Sequence, residues 1–151
     1  MKVYDYYAEQ KLNVDIQTAW DFFSSPKNLS VITPPDLGFI IKSENLNAGI
    51  FKGMKIDYVV KPLFGIPVKW TTAITDVDKP HSFTDKQLKG PYALWEHHHQ
   101  FFQKESGVLM TDHVRYALPL GWIGRIAHPI VRNRLDHIFR FRRETLESLF
   151  G

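Results

Sequence analysis

The 151-residue chain contains no cysteine. This excludes a disulfide framework, a catalytic thiolate and a cysteine-ligated zinc site. The sequence also has no run approaching the roughly 18 apolar residues that a membrane-spanning helix needs. Its first residues, Met1 to Tyr7, lack the apolar stretch of a signal peptide. We therefore expect a cytoplasmic protein that does not insert into a membrane.

The usual motifs for phosphate binding and for serine hydrolysis are missing as well. Gly121 and Gly124 have neither the glycine spacing nor the Lys-Ser/Thr pair of a nucleotide-binding loop, and no Gly-x-Ser-x-Gly elbow occurs. The net charge is only +3. The arginines near the C-terminus alternate with apolar residues at helical spacing, which is typical of the solvated face of an amphipathic helix. We therefore expect no nucleic-acid partner.

The residues that are present predict one folded domain covering 1–151. Apolar residues make up 44% of the chain and aromatic residues 14%, including eleven Phe, six Tyr and four Trp. A chain of this length can bury a substantial core, and large rings suit the wall of a cavity as well as a core.

Hydrophobic periodicity predicts a strand, two short helices, six strands and one long helix, in that order. Asp15 is the expected N-cap of the first helix and Pro26 opens the second. Pro129 lies inside the last helix, so we expect a kink or a new start there. The predicted strands are residues 3–12, 39–44, 54–63, 68–77, 82–88 and the two runs described next; the long helix is 122–150. This is an α+β fold, with about seven antiparallel strands curved around the long helix and a cavity between them.

Two strand-like runs, Gly90–Phe102 and Val108–Tyr116, carry the most informative pattern, with the turn Lys104–Gly107 between them. Because side chains alternate along a strand, one face is apolar with a few polar groups, as in the lining of a ligand cavity. If Glu105 pairs with Val108, Asp112 lies opposite Phe101 and diagonal to His99. The residues on this face are Trp95, His97, His99, Phe101, Met110, Asp112, Val114 and Tyr116. A one-residue slip would exchange the two faces.

Other elements offer further candidates for the cavity lining. Asp85 and Gln87 share a face with Phe83 and lie either near the cavity rim or at the surface. Arg142 either pairs with a carboxylate of the sheet or is solvated. The segment Asn45–Gly53 is either a lid over the cavity mouth or a plain connection. The remaining candidates are Tyr58 and Trp70 from the sheet, and Ile130, Ile138 and Phe141 from the long helix.

The chain resembles the START-related helix-grip superfamily (SRPBCC, polyketide cyclase/dehydrase-like), and the resemblance covers essentially all of it. The element order is the general match. The specific match lies in Phe83-x-Asp85-x-Gln87-x-x-Gly90-Pro91-Tyr92-x-x-Trp95-x-His97-x-His99-x-Phe101, in Thr111-Asp112-x-Val114-x-Tyr116-x-Leu118-Pro119 and in Ile138-Phe139-x-Phe141-Arg142. These runs look like those of a bacterial ligand-binding subfamily, some of whose members are joined to a sugar-epimerase-like domain. The resemblance implies a deep cavity for a hydrophobic or amphipathic small molecule and no particular reaction.

The inward polar groups His97, His99 and Asp112 allow three interpretations. They are hydrogen-bonded groups that orient a ligand, a general acid–base pair of a cyclase or dehydratase, or a two-histidine, one-carboxylate metal site. We favour the first and expect no metal and no other cofactor. A further alternative is a protein-interaction module with a vestigial cavity, which the absence of a pocket of about 300 Å³ would favour.

Overall fold

The computed structural model describes residues 1–44, 46 and 49–151. The strands are β1 (Tyr4–Leu12), β2 (Ile40–Ile41), β3 (Lys55–Val60), β4 (Val68–Asp78), β5 (Ser82–Lys89), β6 (Leu94–Lys104) and β7 (Gly107–Ala117). The α-helices are α1 (Ile16–Phe23) and α2 (Trp122–Phe150), and two short 3-10 helices (Pro26–Leu29 and Pro35–Leu37) follow α1. The predicted α+β class, element order and long C-terminal helix are confirmed.

The seven strands form one antiparallel sheet that does not close on itself, in the order β1-β7-β6-β5-β4-β3-β2. Register shifts in β4, at Thr71/Thr72 and between Ile74 and Asp76, interrupt its pairing with β5. Such bulges bend a strand and increase its local twist. Buried and more exposed positions alternate along β6 and β7, so one face of the sheet is turned to the interior.

Helix α1 begins as its sequence predicts. The Asp15 side chain accepts a hydrogen bond from the Thr18 backbone N–H at 2.8 Å, which satisfies one of the free amides of the first turn. Trp20 then packs edge-on against Phe83 and Phe101 of the sheet. This contact places the end of α1 beside the inner face of the sheet.

Helix α2 runs without interruption from Trp122 to Phe150, so no new helix starts at Pro129. Its inward positions recur every three or four residues, the helical period. The inward side chains, all buried or half-buried, are Val131, Leu135, Ile138, Phe139, Arg142 and Leu146. No helix in the described part of the chain is long and apolar enough to cross a membrane.

The β6–β7 hairpin differs from its predicted register by two residues. Lys104 pairs with Gly107 across a two-residue turn, and His99 therefore lies directly opposite Asp112, whereas Phe101 faces Met110. Because the side-chain period of a strand is two, a shift of two residues keeps every side chain on its predicted face. The predicted inner face is thus correct although the predicted pairing is wrong.

Candidate functional site

A cavity of about 190 Å³ lies between the inner face of the sheet and α2. Most of its wall is apolar, and its polar side chains come from a few positions on β3 to β6, on α2 and in the segment 25–33 after α1. The lining includes Phe22, Phe23, Leu37, Ile56, Tyr58, Trp70, Thr72, Phe83, Asp85, Trp95, His97, His99, Leu135, Ile138, Phe139 and Arg142. The volume is below the roughly 300 Å³ at which pockets for drug-sized ligands begin, so the cavity suits a small molecule.

Strand pairing brings four ionisable side chains together on the cavity wall. Asp85 of β5 lies opposite His97 of β6, and His99 lies opposite Asp112 of β7. Directly opposite residues of neighbouring strands point to the same face, as do alternate residues of one strand, so all four side chains stand on one face. We call Asp85, His97, His99, Asp112 and the helix residue Arg142 the polar cluster.

The hydrogen bonds of the polar cluster run along diagonals between strands. His97 Nε2 lies 2.7 Å from Asp112 Oδ1, and His99 Nε2 lies 2.7 Å from Asp85 Oδ2. His99 Nδ1 is 3.4 Å from Asp112 Oδ1 and makes no hydrogen bond within the described residues. The two imidazole rings stack with their centroids 3.7 Å apart, and Phe83 stacks on the other side of His99 at 4.0 Å. Both rings are therefore fixed in orientation.

Arg142 reaches the polar cluster from α2. Its guanidinium donates from Nη2 to Asp112 Oδ1 at 3.2 Å and lies over the rings of Phe23 and Phe139. The side chain is buried, and its Nε has no hydrogen-bond partner in the described part of the chain. A buried cation of this kind is stable only beside an anion, so Arg142 belongs with Asp112. The sequence left this pairing open.

The two carboxylates of the polar cluster are held in the charged form. Burial by itself raises the pKa of Asp112, but the Arg142 charge and the hydrogen bond from His97 outweigh it and place the pKa well below its ordinary value. For Asp85, burial again raises the pKa, and the hydrogen bond from His99 brings the net pKa below its ordinary value. Both groups are therefore carboxylates at neutral pH.

The two histidines of the cluster have pKa values displaced in opposite directions. Burial and repulsion from His99 lower the pKa of His97, in spite of its hydrogen bond to Asp112. Burial also lowers the pKa of His99, but its two flanking carboxylates, Asp112 and Asp85, outweigh it, so that the net pKa is raised. His97 is thus kept neutral, and His99 is favoured as an imidazolium.

A second polar group on the wall involves Tyr58, Trp70 and Thr72. Trp70 Nε1 donates to Thr72 Oγ1 at 3.0 Å, and the Tyr58 hydroxyl lies 3.2 Å from the same oxygen. Burial raises the pKa of Tyr58, which keeps the phenol neutral. The two rings stack at 5.7 Å, so the polar atoms interact with each other between large apolar surfaces.

Eight of the residues predicted from sequence line the cavity. They are Tyr58, Trp70, Phe83, Asp85, Trp95, His97, His99 and Ile138. The choice between rim and surface for Asp85 is resolved by its bond to His99, which places it in the polar cluster. Their role in binding a ligand stays a prediction.

Four predicted sheet residues lie behind the wall. Phe101 packs with Trp20 in one core cluster. Val114 and Tyr116 belong to a second core cluster. Asp112 supports the histidines but does not line the cavity. The pairing of β7 with both β1 and β6 makes it a central strand, and its inward side chains are covered by α2. Sequence periodicity gives the face of a residue but not its distance from a cavity.

Three further predicted residues lie outside the lining. Gln87 bonds the backbone of Tyr92 through both amide atoms, so it fixes the turn before β6. Ile130 is 48% exposed. Phe141 is half-buried and, like Ile130, lies one position, or about 100° around the helix, from an inward residue. The predicted helix face was therefore correct at Ile138 and wrong at Ile130 and Phe141.

Sequence reasoning missed several lining residues on the helices. Phe22 and Phe23 end α1, and Leu135 and Phe139 share the inward stripe of α2 with Ile138 and with Arg142, which the sequence had named only as an ion-pair candidate. The i, i+3, i+4, i+7 spacing of the α2 residues is a signal that could have identified them. Nothing in the local sequence identified Phe22 and Phe23 as cavity residues instead of core residues.

The histidines at positions 98 and 113, next to residues of the polar cluster in sequence, point outwards. His98 lies on the outer face of β6, with its Nδ1 2.7 Å from Thr84 Oγ1. His113 of β7 bonds the exposed carboxylate of Asp5 and stacks on Tyr7. The His97-His98-His99 run is therefore not one cluster.

The proposed lid segment Asn45–Gly53 falls partly outside the described residues, which omit positions 45, 47 and 48. Of its other residues, Ile50 lines the cavity and Leu46 packs with Met54, Ile56 and Ile74.

Comparison with solved structures places the fold among known proteins. The chain is similar to protein Ms6760 of Mycobacterium smegmatis (TM-score 0.69, 15% identity, 99% of this chain and 96% of that one) and to TTHA0849 of Thermus thermophilus (0.69, 14%, 98% and 100%). It is also similar to ginseng major latex-like protein 151 of Panax ginseng (0.70, 12%, 99% and 98%). No family model and no curated protein matches the sequence. The expected helix-grip fold is confirmed.

Proposed function

Starting from the helix-grip fold, we propose that the protein binds a small molecule with an apolar body and a polar group in the cavity between the sheet and α2. The observation that carries the proposal is the cavity itself, with its largely apolar wall and a buried polar cluster on it. Binding sites for small molecules combine these two features, since apolar burial supplies affinity and a few polar groups set orientation. We further propose that residues 1–151 act as one such domain.

The size of the cavity narrows the class of ligand. An apolar cavity of about 150 Å³ in another protein holds a benzene molecule, and the cavity here is about 190 Å³. A molecule of one or two rings therefore fits better than a long acyl chain or a sterol. By volume alone, the cavity meets the size criterion given above for an interaction module with a vestigial cavity; the polar cluster on its wall is the feature that favours ligand binding.

The polar cluster would orient such a ligand through its cavity-facing atoms. Asp85, His97, His99 and Arg142 all line the cavity. They provide donors and an acceptor within one small area, which suits a hydroxyl, carbonyl or enol oxygen. The aromatic rings of Trp70 and Trp95 would pack against the apolar body.

The binding proposal is tested with 1-naphthol, a two-ring molecule with one hydroxyl group, in calorimetric titrations. We expect saturable binding of one molecule per chain with a negative heat-capacity change, the mark of apolar burial. Ile138→Trp fills the cavity from α2 and should weaken affinity by at least about tenfold, or roughly 1.4 kcal/mol. Ile130→Trp is the matched control, because Ile130 lies on the same helix outside the lining and is exposed.

The two variants also separate binding in the cavity from binding elsewhere. Equal affinity of Ile138→Trp and the unaltered protein would place the 1-naphthol site outside the cavity and contradict the proposal. Thermal unfolding of both variants shows whether the added ring is accommodated in the fold.

One observation favours an enzymatic alternative. The neutral imidazole of His97 is held by a buried carboxylate at 2.7 Å, as in a general acid–base pair. A cyclase or dehydratase would act on a carbonyl or enol substrate in the same cavity. Removing the imidazole of this pair with His97→Gln, like removing its neighbour with His99→Gln, should abolish turnover in an enzyme and only weaken affinity in a binding protein.

A further inference from the structure

Three side chains of the polar cluster have the donor atoms of a metal site. Asp85, His97 and His99 each place one ligand atom within 4.8 Å of the other two, and the two histidines are buried. We propose that these three residues bind a divalent transition-metal ion on the wall of the cavity, and that Asp112 orients both imidazoles from behind.

The position of Asp112 between the two imidazoles carries the first step of the argument. Its Oδ1 lies 2.7 Å from His97 Nε2 and 3.4 Å from His99 Nδ1. One nitrogen of each imidazole therefore faces Asp112. The other nitrogen, Nδ1 in His97 and Nε2 in His99, is left as a ligand atom. A histidine that binds a metal almost always donates its second N–H to a carboxylate or carbonyl, which fixes the tautomer and the ring plane.

Charge separates the role of Asp112 from that of Asp85. Arg142 pairs with Asp112 at 3.2 Å and neutralises it, so this carboxylate acts as a hydrogen-bond acceptor for the rings. Among the described residues, Asp85 pairs with His99 and with no arginine or lysine, and its side chain is 18% exposed. It is therefore the carboxylate that faces an incoming cation. The sequence alone placed Asp112 in this position.

The donor set selects the class of ion. Two imidazole nitrogens and one carboxylate oxygen suit zinc, iron(II) and cobalt(II) better than calcium or magnesium, which prefer oxygen ligands. Metal–nitrogen distances are about 2.0–2.1 Å, so ligand atoms around one ion stand within about 4.2 Å of each other. The present spacing is 4.8 Å or less, and the stacked rings, whose planes differ by 22°, must rotate when they bind so that each points a nitrogen at the ion. All three residues line the cavity, so further coordination positions would open towards it.

Binding of the ion exchanges a proton for the metal. His99 Nε2 now shares a proton with Asp85 Oδ2 at 2.7 Å, and the ion would take its place. On metal binding, His99 Nε2 gives up its proton to solvent and becomes a ligand atom, which leaves the ring as the Nδ1–H tautomer. Its Nδ1 proton stays directed at Asp112. We expect metal affinity to weaken as the pH falls.

The test uses protein freed of metal by a chelator and titrated with Zn²⁺ by calorimetry and with Co²⁺ by visible absorption. The unaltered protein should bind one ion per chain. Asp85→Asn and His99→Gln each remove a ligand and should lower affinity by at least about a hundredfold, and Asp112→Asn by roughly 10- to 100-fold through loss of ring orientation. His98→Gln and His113→Gln are the matched controls and should bind as the unaltered protein does, because both rings point outwards.

X-ray absorption spectroscopy of the zinc-loaded, unaltered protein keeps the proposal testable if a cluster variant fails to fold. We expect two imidazole ligands on the ion. The proposal is overturned if the unaltered protein binds no ion, if fewer than two imidazoles are found, or if affinity falls in the His98 or His113 variant and not in Asp85→Asn. Because 1-naphthol binding is measured without metal, either proposal can fail without the other.

Discussion

At the scale of single residues, Asp112 is the side chain on which the polar cluster depends. It is 2% exposed and lies within 3.4 Å of His97, His99 and Arg142. Three nitrogen-bearing groups thus share one carboxylate, which keeps a buried arginine and two buried imidazoles compensated.

Asp112→Asn should therefore destabilise the protein strongly. The amide keeps the shape of the side chain but removes the charge that compensates Arg142, and breaking a buried pair in this way costs about 3–5 kcal/mol. Urea unfolding at neutral pH measures the change in the free energy of unfolding. Asp5→Asn is the control: Asp5 also bonds a histidine at 2.7 Å but is exposed, and exposed pairs contribute about 0–1 kcal/mol. Equal losses in the two variants would contradict the role given to Asp112.

At the scale of elements, α2 closes the cavity, and its position depends on how its first turn packs against the connection from β7. Gly124 is buried in the first turn of α2, where a Cβ would overlap the backbone carbonyl oxygen of Pro119. The close approach of the helix to the end of the sheet thus requires glycine at this position.

Gly124→Ala should destabilise the fold although alanine favours helices. The added methyl group meets a backbone atom that cannot rotate away, and overpacking of this kind costs about 1–3 kcal/mol. Asn133→Ala, at an exposed position of the same helix, should change the free energy of unfolding by less than about 0.5 kcal/mol. Urea unfolding of both variants makes the comparison, and a Gly124→Ala protein as stable as the control would show that the start of α2 is free to shift.

At the scale of the whole molecule, the polar cluster links stability to pH in two directions. The pKa of His99 is raised from 6.5, so its contribution is complete below pH 6.5 and is lost as the pH rises through its folded pKa. The pKa of His97 is lowered from 6.5, so its contribution is present above pH 6.5 and is lost as the pH falls through its folded pKa. The two histidines together favour a stability maximum near neutrality.

The alkaline side of this maximum belongs to His99, because His97 is neutral in both the folded and the unfolded chain there. His99→Gln should flatten the decline in the free energy of unfolding as the pH rises above 6.5. His113→Gln should leave that decline in place. Urea unfolding at a series of pH values above 6.5 measures this decline. If the decline persists in His99→Gln, other titrating groups cause it.

Local periodicity was enough to predict the element order, the α+β class and the inner face of β6 and β7, because these follow from residue periods of 3.6 and 2. Even a register error of two residues left His97, His99 and Asp112 on the correct face. The tertiary structure alone decided that Asp85 joins the histidines and that Asp112 stands behind them with Arg142. Those contacts join β5, β6, β7 and α2, and the distance between elements depends on packing, which periodicity does not encode.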